Sequence, residues 1–444
     1  MNAVVASPVE TESAGVWRGG AVQGLCYGAL GLPLAFVALP LYVILPAHYA
    51  STFGIPLVTL GVLLLAARGF DALTDPWIGR LWDAWFQRSP GTVLAAAAAA
   101  AVVLALGFRG LFFPPLPIQT QAQTQTQTPL LLWCFALLTL TYLSYSLLSV
   151  MHQAWGARLG GDQSQRARIV SWREGLALVG VLVASVLPSV AGIGVSTIVF
   201  AAGLAVALVL LARAPRPGPN SGTCTNQGHP PQSLLAPLHT PDFRRLLLIY
   251  LVNGVASAVP ATLVLFFIRD RLAAPTFEPL FLASYFAAGA LSMPLWGRLV
   301  DRVGLPRAWL AGMALAVVSF GWAALLGSGD VVAFTVVCVA SGFALGADLS
   351  LPSALLTGVI QRAGHAERYE GSYFGWWNLA TKLNLALAAG IALPLLGAFG
   401  YAPGARDAQA LWSLTVAYCL LPCVLKLAAA GLLWNLWLKR ETAS

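Results

Sequence analysis

The sequence predicts an all-α membrane protein of about twelve spans in two six-helix halves, and three observations carry that expectation. Hydrophobic residues make up 58% of the 444 residues, charged residues only 9%, and mean hydropathy is +0.76. A soluble domain carries about 25% charged residues. This chain cannot cover such a surface against water, whereas a lipid-facing surface needs no charge. The apolar runs reach roughly 20 residues, the length of a bilayer-crossing helix, without the alternation of barrel strands. Backbone in hydrocarbon must satisfy its own hydrogen bonds, which leaves helices or closed barrels. Finally, the Pro/Gly/Ser-rich stretch 214–240 separates two hydrophobic halves of similar size.

Spans are expected at 22–45, 56–84, 92–113, 129–151, 171–191, 193–213, 243–268, 278–300, 308–327, 330–360, 372–397 and 410–437. The units are then 1–213, a first bundle; 214–240, a linker; and 241–444, a second bundle. With both termini inside, 18 of the 25 Lys and Arg residues fall in cytoplasmic segments, four outside and three (Arg68, Lys382, Lys426) within spans. Basic residues hold loops in the cytoplasm. This bias accounts for the net charge of +8 without invoking nucleic acid. The Gln/Thr-rich stretch 114–128 is expected outside as a solvated connector, and the first twenty residues lack a cleavable signal pattern. Five of the six cysteines lie in apolar runs and read as small hydrophobes. Cys419 and Cys423 share a helix face, but no histidine or carboxylate nearby completes a metal site. No cofactor, metal centre or disulfide is expected.

The halves repeat. Asp75-Pro76-Trp77-Ile78-Gly79-Arg80-Leu81-Trp82-Asp83 ends the second span, and Met293-Pro294-Leu295-Trp296-Gly297-Arg298-Leu299-Val300-Asp301 ends the eighth. Pro, Gly-Arg-Leu and Asp recur in one register. Two six-span halves in parallel resemble the major facilitator arrangement, in which the solute site lies near the midplane between them. The second copy, with Gly297, Arg298, Asp301, Arg302 and Gly304, resembles that superfamily's loop motif G-x-x-x-D-R-x-G. Asp301 and Arg302 can form charge-assisted hydrogen bonds there and latch helices together. The first copy keeps Asp83 but lacks the basic residues after it.

The sharpest signal is Arg68-Gly69-Phe70-Asp71-Ala72-Leu73-Thr74-Asp75-Pro76 within the second span. Arg68, Asp71 and Asp75 stand at i, i+3 and i+7 and line one helix face. An ionisable residue at bilayer depth costs about 2.5–3.5 kcal/mol on insertion scales, so such groups usually serve transport. Two carboxylates one turn apart repel unless a cation or proton sits between them. Their oxygens suit a hard cation, and the Thr74 hydroxyl offers another. The competing reading is a structural salt-bridge network with Arg68 and Lys382.

Residues 68–76 look like the R-x-x-D-A-x-x-D-P signature of the glycoside–pentoside–hexuronide:cation symporters. The resemblance continues through Tyr145 to Arg158, Ser171-Trp172-Arg173-Glu174-Gly175 and Glu370 to Lys382, in the family's order and along most of the chain. It implies that Asp71 and Asp75 are the coupling-cation carboxylates, that Thr74 and Ser146 supply oxygen ligands, and that Lys382 stands beside the cation. It places Arg173 near the sugar. There are departures. Ala35 and Ser149 stand where a family relative has sugar-binding carboxylates, so that sugar geometry does not carry over. Gly358 and Gln361 replace an acidic pair after the tenth span.

Asn253, Asp348, Asn378, Trp376 and Trp377 are further candidates for the solute cavity, with packing or interhelical hydrogen bonding as the competing role. His152 is either a proton shuttle or structural, and Lys426 is expected to snorkel. The expectation is a cation-coupled symporter of a small polar, sugar-like solute, driven by sodium or protons, monomeric in a bacterial inner membrane. Two hydroxyls beside the carboxylates favour sodium. The alternative is a carrier of lipid-like or amphipathic solutes, or an exporter. A channel fits unlike repeats with buried charges poorly. An enzyme is not expected, because H-E-x-x-H, nucleophile-elbow and Walker A motifs are all missing from the sequence.

Overall fold

The computed structural model describes residues 17, 20–115, 128–217, 233–398, 401, 404 and 407–439. Most of the Gln/Thr loop, the centre of the linker with Cys224, and both terminal segments lie outside the described residues, as do Arg18, Arg406 and Arg440.

The helices are α1 (21–53), α2 (Leu57–Phe86), α3 (Pro90–Phe112) and α4 (Thr128–Arg158), then α5 (163–191) and α6 (193–213). The second half holds α7 (Pro241–Arg271), α8 (Glu278–Val303), α9 (Leu305–Ala323), α10 (Val331–Arg362), α11 (Glu370–Ala398) and α12 (Ala408–Leu438). Helices α5 and α6 are two helices joined through a kink at Gly192, whose φ of 81° is left-handed backbone that a residue without Cβ adopts at no steric cost. The sequence places the division between its fifth and sixth spans at this residue. A π-turn at Pro40–Ile44 relieves the missing proline N–H inside α1.

Among the described residues, nine helical stretches are long and apolar enough to cross a membrane, α5 and α6 together making one of them. Large apolar side chains such as Leu65, Leu106, Val190, Leu291 and Val332 point outward. In water that surface would be prohibitive; in lipid it is the solvated face.

The halves meet through α2 on α11, α4 on α11, α5 on α8 and α5 on α10. Glycine makes the first contact possible. A Cβ at Gly79 would lie 2.1 Å from the Gly371 carbonyl oxygen, and one at Gly375 would lie 2.5 Å from the Asp75 carbonyl oxygen. Small residues let transmembrane backbones touch. This close crossing brings the ionisable side chains of α2 within reach of α11.

Candidate functional site

Asp71 and Asp75, one turn apart on α2, point into the bundle and are buried. Lys382 of α11 reaches between them. Its Nζ lies 2.7 Å from Asp71 Oδ2 and 2.8 Å from Asp75 Oδ2, and donates to Asp75 Oδ1 at 2.9 Å and to Ser146 Oγ of α4 at 2.8 Å. Ser146 Oγ in turn donates to Asp71 Oδ1 at 2.6 Å. Three helices from both halves therefore converge on one ammonium group. With all groups ionised, two carboxylates face one cation, and one negative charge is left over. A buried, uncompensated charge is costly. Lys382 keeps 21% of its side-chain surface exposed, so the cluster is reachable.

Two other members of the expected set lie differently. Arg68 sits one turn nearer the far end of α2 and is exposed, so the ammonium that grips both carboxylates is Lys382. Helical periodicity gives the face shared by residues 68, 71 and 75 but not their depth. The Thr74 hydroxyl donates to the Asp71 backbone carbonyl at 2.8 Å, turned along its own helix. Threonine commonly bonds back to its own helix in this way.

Above the ion cluster the halves are bridged by amides. Gln153 Nε2 donates to Ser149 Oγ at 3.2 Å on α4 and to Asn378 Oδ1 at 3.1 Å on α11. Gln153 Oε1 is buried without a partner among the described residues, an open acceptor for a hydroxyl. Arg173 of α5 is buried and held by Glu174 at 2.6 Å, so its charge is balanced within the helix. Trp377 stacks on Tyr250 of α7 at 3.7 Å between centroids, leaving the half-buried Tyr250 as the accessible ring. Trp376 points away and donates to the Leu234 carbonyl at 3.0 Å, which ties α11 to the linker end rather than to a cavity. Gln153 draws notice in the sequence only as a neighbour of His152, and Tyr250 draws none, since a lone tyrosine in a span has packing as its ordinary role.

Asn253 and Asp348 belong to one polar cluster within the second bundle. Asp348 accepts from Asn253 Nδ2 and Trp309 Nε1, each at 3.1 Å, and from Ser257 Oγ at 3.1 Å. Lys426 forms a close ion pair with Asp348 and donates to Asn253 Oδ1 at 2.8 Å and Ser257 Oγ at 2.9 Å. It is buried with 2% exposure and does not snorkel. His152 is likewise structural: its Nε2 and the Tyr27 carbonyl are 2.8 Å apart, and Tyr27 hydroxyl donates to the His152 carbonyl at 3.0 Å.

The two copies of the repeated loop also separate. Asp301 pairs with Arg168 of α5 at 3.0 Å and accepts a close hydrogen bond from Ser164, on an exposed surface. Arg298 and Arg302 are exposed, Gly297 is buried in the helix, and Gly304 ends α8 with φ of 80°. Asp83, which lacks the expected basic neighbours, makes the denser contact. Fully buried, it accepts from Gly371 N and Ser372 N at 2.7 Å and Ser372 Oγ at 2.6 Å, the free donors at the start of α11. Its cation is Arg158 of α4, at 3.3 Å, which also binds Glu370 at 3.0 Å. The basic partner comes from another helix, not from the next residue.

A family model described as MFS/sugar transport protein matches residues 26–440. The chain belongs to that family. The Escherichia coli (strain K12) inner membrane symporter YicJ is 29% identical over 143 residues, 31% of this chain and 28% of YicJ. A putative sulfoquinovose importer of the same strain is 25% identical over 409 residues, covering 86% of this chain and 83% of the relative. The fold is shared with a bacterial homologue of the iron transporter ferroportin in its outward-facing state, at TM-score 0.66, 18% identity, and coverage of 93% of this chain and 100% of that one. It is shared with the E. coli fucose:proton symporter FucP, at TM-score 0.64 and 14% identity over 92% and 98% of the two chains. This member of the MFS/sugar transport family is thus a multi-pass membrane transporter with the major facilitator fold, not an enzyme.

Proposed function

We propose that this transporter carries out cation-coupled symport of a small, polar, sugar-type solute across a bacterial inner membrane, with its Arg-rich ends in the cytoplasm. The observation that carries the coupling is the excess carboxylate at the junction of α2, α4 and α11, where Asp71, Asp75 and Ser146 surround Lys382. A cation or proton entering the cluster balances the charge and loosens the hold on the Lys382 ammonium. Because Lys382 belongs to the second half and the carboxylates to the first, the ion's binding energy differs between states that join and part the halves. That difference is thermodynamic coupling.

The solute surface is Gln153, Ser149 and Asn378, flanked by the Tyr250–Trp377 stack and the Arg173–Glu174 pair. Amides and hydroxyls donate to and accept from sugar hydroxyls, and an aromatic face packs on a sugar ring. The relative described as a putative sulfoquinovose importer makes sulfoquinovose one solute to test. With the Thr74 hydroxyl turned along its helix, the cluster offers one hydroxyl instead of two. Proton coupling therefore gains ground on sodium relative to the sequence reading.

A thermal-shift panel of hexoses, pentosides and sulfoquinovose, each run in sodium and in choline buffers and at two pH values, tests the proposal. One solute class should raise Tm saturably, more so with the coupling ion present, since a ligand stabilises by mass action. Amphipathic molecules alone raising Tm, with no ion dependence, would contradict it.

A further inference from the structure

At the Arg-rich end, where α5 of the first half meets α10 of the second, a cavity of about 140 Å³ is lined by Gln163, Arg166, Gly358, Gln361, Arg362 and Trp437. On the same measure one water needs about 10–15 Å³, so the space admits a polyatomic ion with water. The lining contains two guanidinium groups and no carboxylate. Arg166 NH1 donates to the neutral Gln361 Oε1 at 3.1 Å, and its Nε donates to the Asp162 backbone carbonyl at 3.1 Å. Asp162 Oδ1 accepts from Gln165 N at 2.8 Å to cap α5, and the carboxylate's charge also acts on Arg166. The Arg362 guanidinium lies over the Trp437 ring at 4.9 Å and is close enough to Arg166 for the two charges to repel. A Cβ on Gly358 would fall 2.4 Å from Arg166 NH1, so the glycine admits the guanidinium against the α10 backbone.

Arg166 hydrogen-bonds only neutral acceptors here and feels one carboxylate, Asp162, so two guanidinium charges face one negative charge and the pair is one anion short. Arginine's planar fork matches phosphate oxygens in pairs, and the glutamine amides add neutral donors. We propose that this cavity binds a phosphate-class oxyanion, bridging Arg166 of the first half to Arg362 of the second and holding the Arg-rich end closed. The anion is a regulator, not cargo: it selects one state of the transporter without touching the solute surface. Inorganic phosphate from solution and the phosphate of an anionic lipid headgroup share the required chemistry.

The test uses the purified full-length protein. Thermal unfolding is followed during titration with potassium phosphate and with potassium chloride, at fixed pH, matched ionic strength and constant sodium. A saturable rise in Tm with phosphate only is expected, and its loss in Arg166→Gln and Arg362→Gln. Gln361→Glu supplies a built-in carboxylate, so it should melt higher without phosphate and gain nothing from it. This variant keeps the test decisive if the arginine variants fail to fold. Repeating the titration in phosphatidylcholine and in phosphatidylglycerol nanodiscs separates the sources. A phosphate response in the first and none in the second assigns the site to lipid headgroups; a response in both assigns it to free phosphate. Equal responses to phosphate and chloride, with no difference between the two lipids, would overturn the site. So would an undiminished phosphate response in Arg362→Gln and Gln361→Glu.

Discussion

Two lysines lie in the membrane-spanning core of this transporter, and their surroundings differ in the one respect that matters for coupling. Lys426 faces one carboxylate, Asp348, and the remaining acceptors and donors of that cluster are closed by Asn253, Ser257 and Trp309 within a single half. Lys382 faces two carboxylates, is ten times more exposed at 21% against 2%, and joins the first half to the second. The first cluster sets one carboxylate against one ammonium and ties helices of one half. The second sets two carboxylates against one ammonium where the two halves meet, which is where the proposed coupling would act. On the proposed reading it is charge imbalance and position, not burial alone, that separate a coupling site from a structural tie.

The comparison can be broken most forcefully at Lys426. Lys426→Met leaves Asp348 buried without its cation, and removing one partner of a buried pair costs about 3–5 kcal/mol. A large fall in Tm is expected, eased at low pH where Asp348 takes up a proton but not by sodium, and the double variant with Asp348→Leu should recover much of it. If Lys426→Met instead kept its stability and lost ion dependence, the two clusters would have exchanged roles.

Lys382→Ala is expected to differ in its response to cations. It removes the tethered ammonium from two carboxylates, so stability should come to depend on an added cation or on low pH. Melting in sodium and in choline buffers across a pH series reads this directly. A variant whose Tm ignored both would remove the charge deficit as an explanation.

The latches give a smaller contrast. Asp83→Ala strips the acceptor from buried donors of α11, at about 1–3 kcal/mol for each group left unsatisfied. The Asp301–Arg168 pair is 36% and 54% exposed, and such pairs contribute about 0.2–1 kcal/mol. Asp301→Asn is therefore expected to lower turnover mildly with ion affinity unchanged, and Asp83→Ala to lower both stability and turnover. Equal effects in a paired transport and melting assay would show that burial does not rank the two copies.

Much of this was legible in the sequence because it rests on local rules. Apolar length gave the spans, Gly192 marks the division between α5 and α6, and an intramembrane Asp71–Asp75 pair is conspicuous in any apolar run. What was not legible depends on distant partners. Asp83 looked impoverished because its cation, Arg158, comes from α4 and its donors from α11. Lys426 read as a snorkelling side chain because Asp348 is 78 residues away. Thr74 and Trp376 were placed on the right helices, but rotamer and helix rotation decide where a side chain points, and neither is written in spacing.

The most direct test of the central claim is solute accumulation in proteoliposomes under an imposed sodium gradient and, separately, an imposed proton gradient. The solute is one selected by the thermal-shift panel, and the proteins are wild type, Asp71→Asn, Asp75→Asn and a folded Asp348→Asn control. The account predicts uphill accumulation by wild type under at least one gradient, reduced to equilibration or less in Asp71→Asn and Asp75→Asn, and retained in Asp348→Asn. Normal gradient-driven accumulation in both Asp71→Asn and Asp75→Asn would contradict it, and would make the Lys382 cluster a structural tie like its counterpart at Lys426.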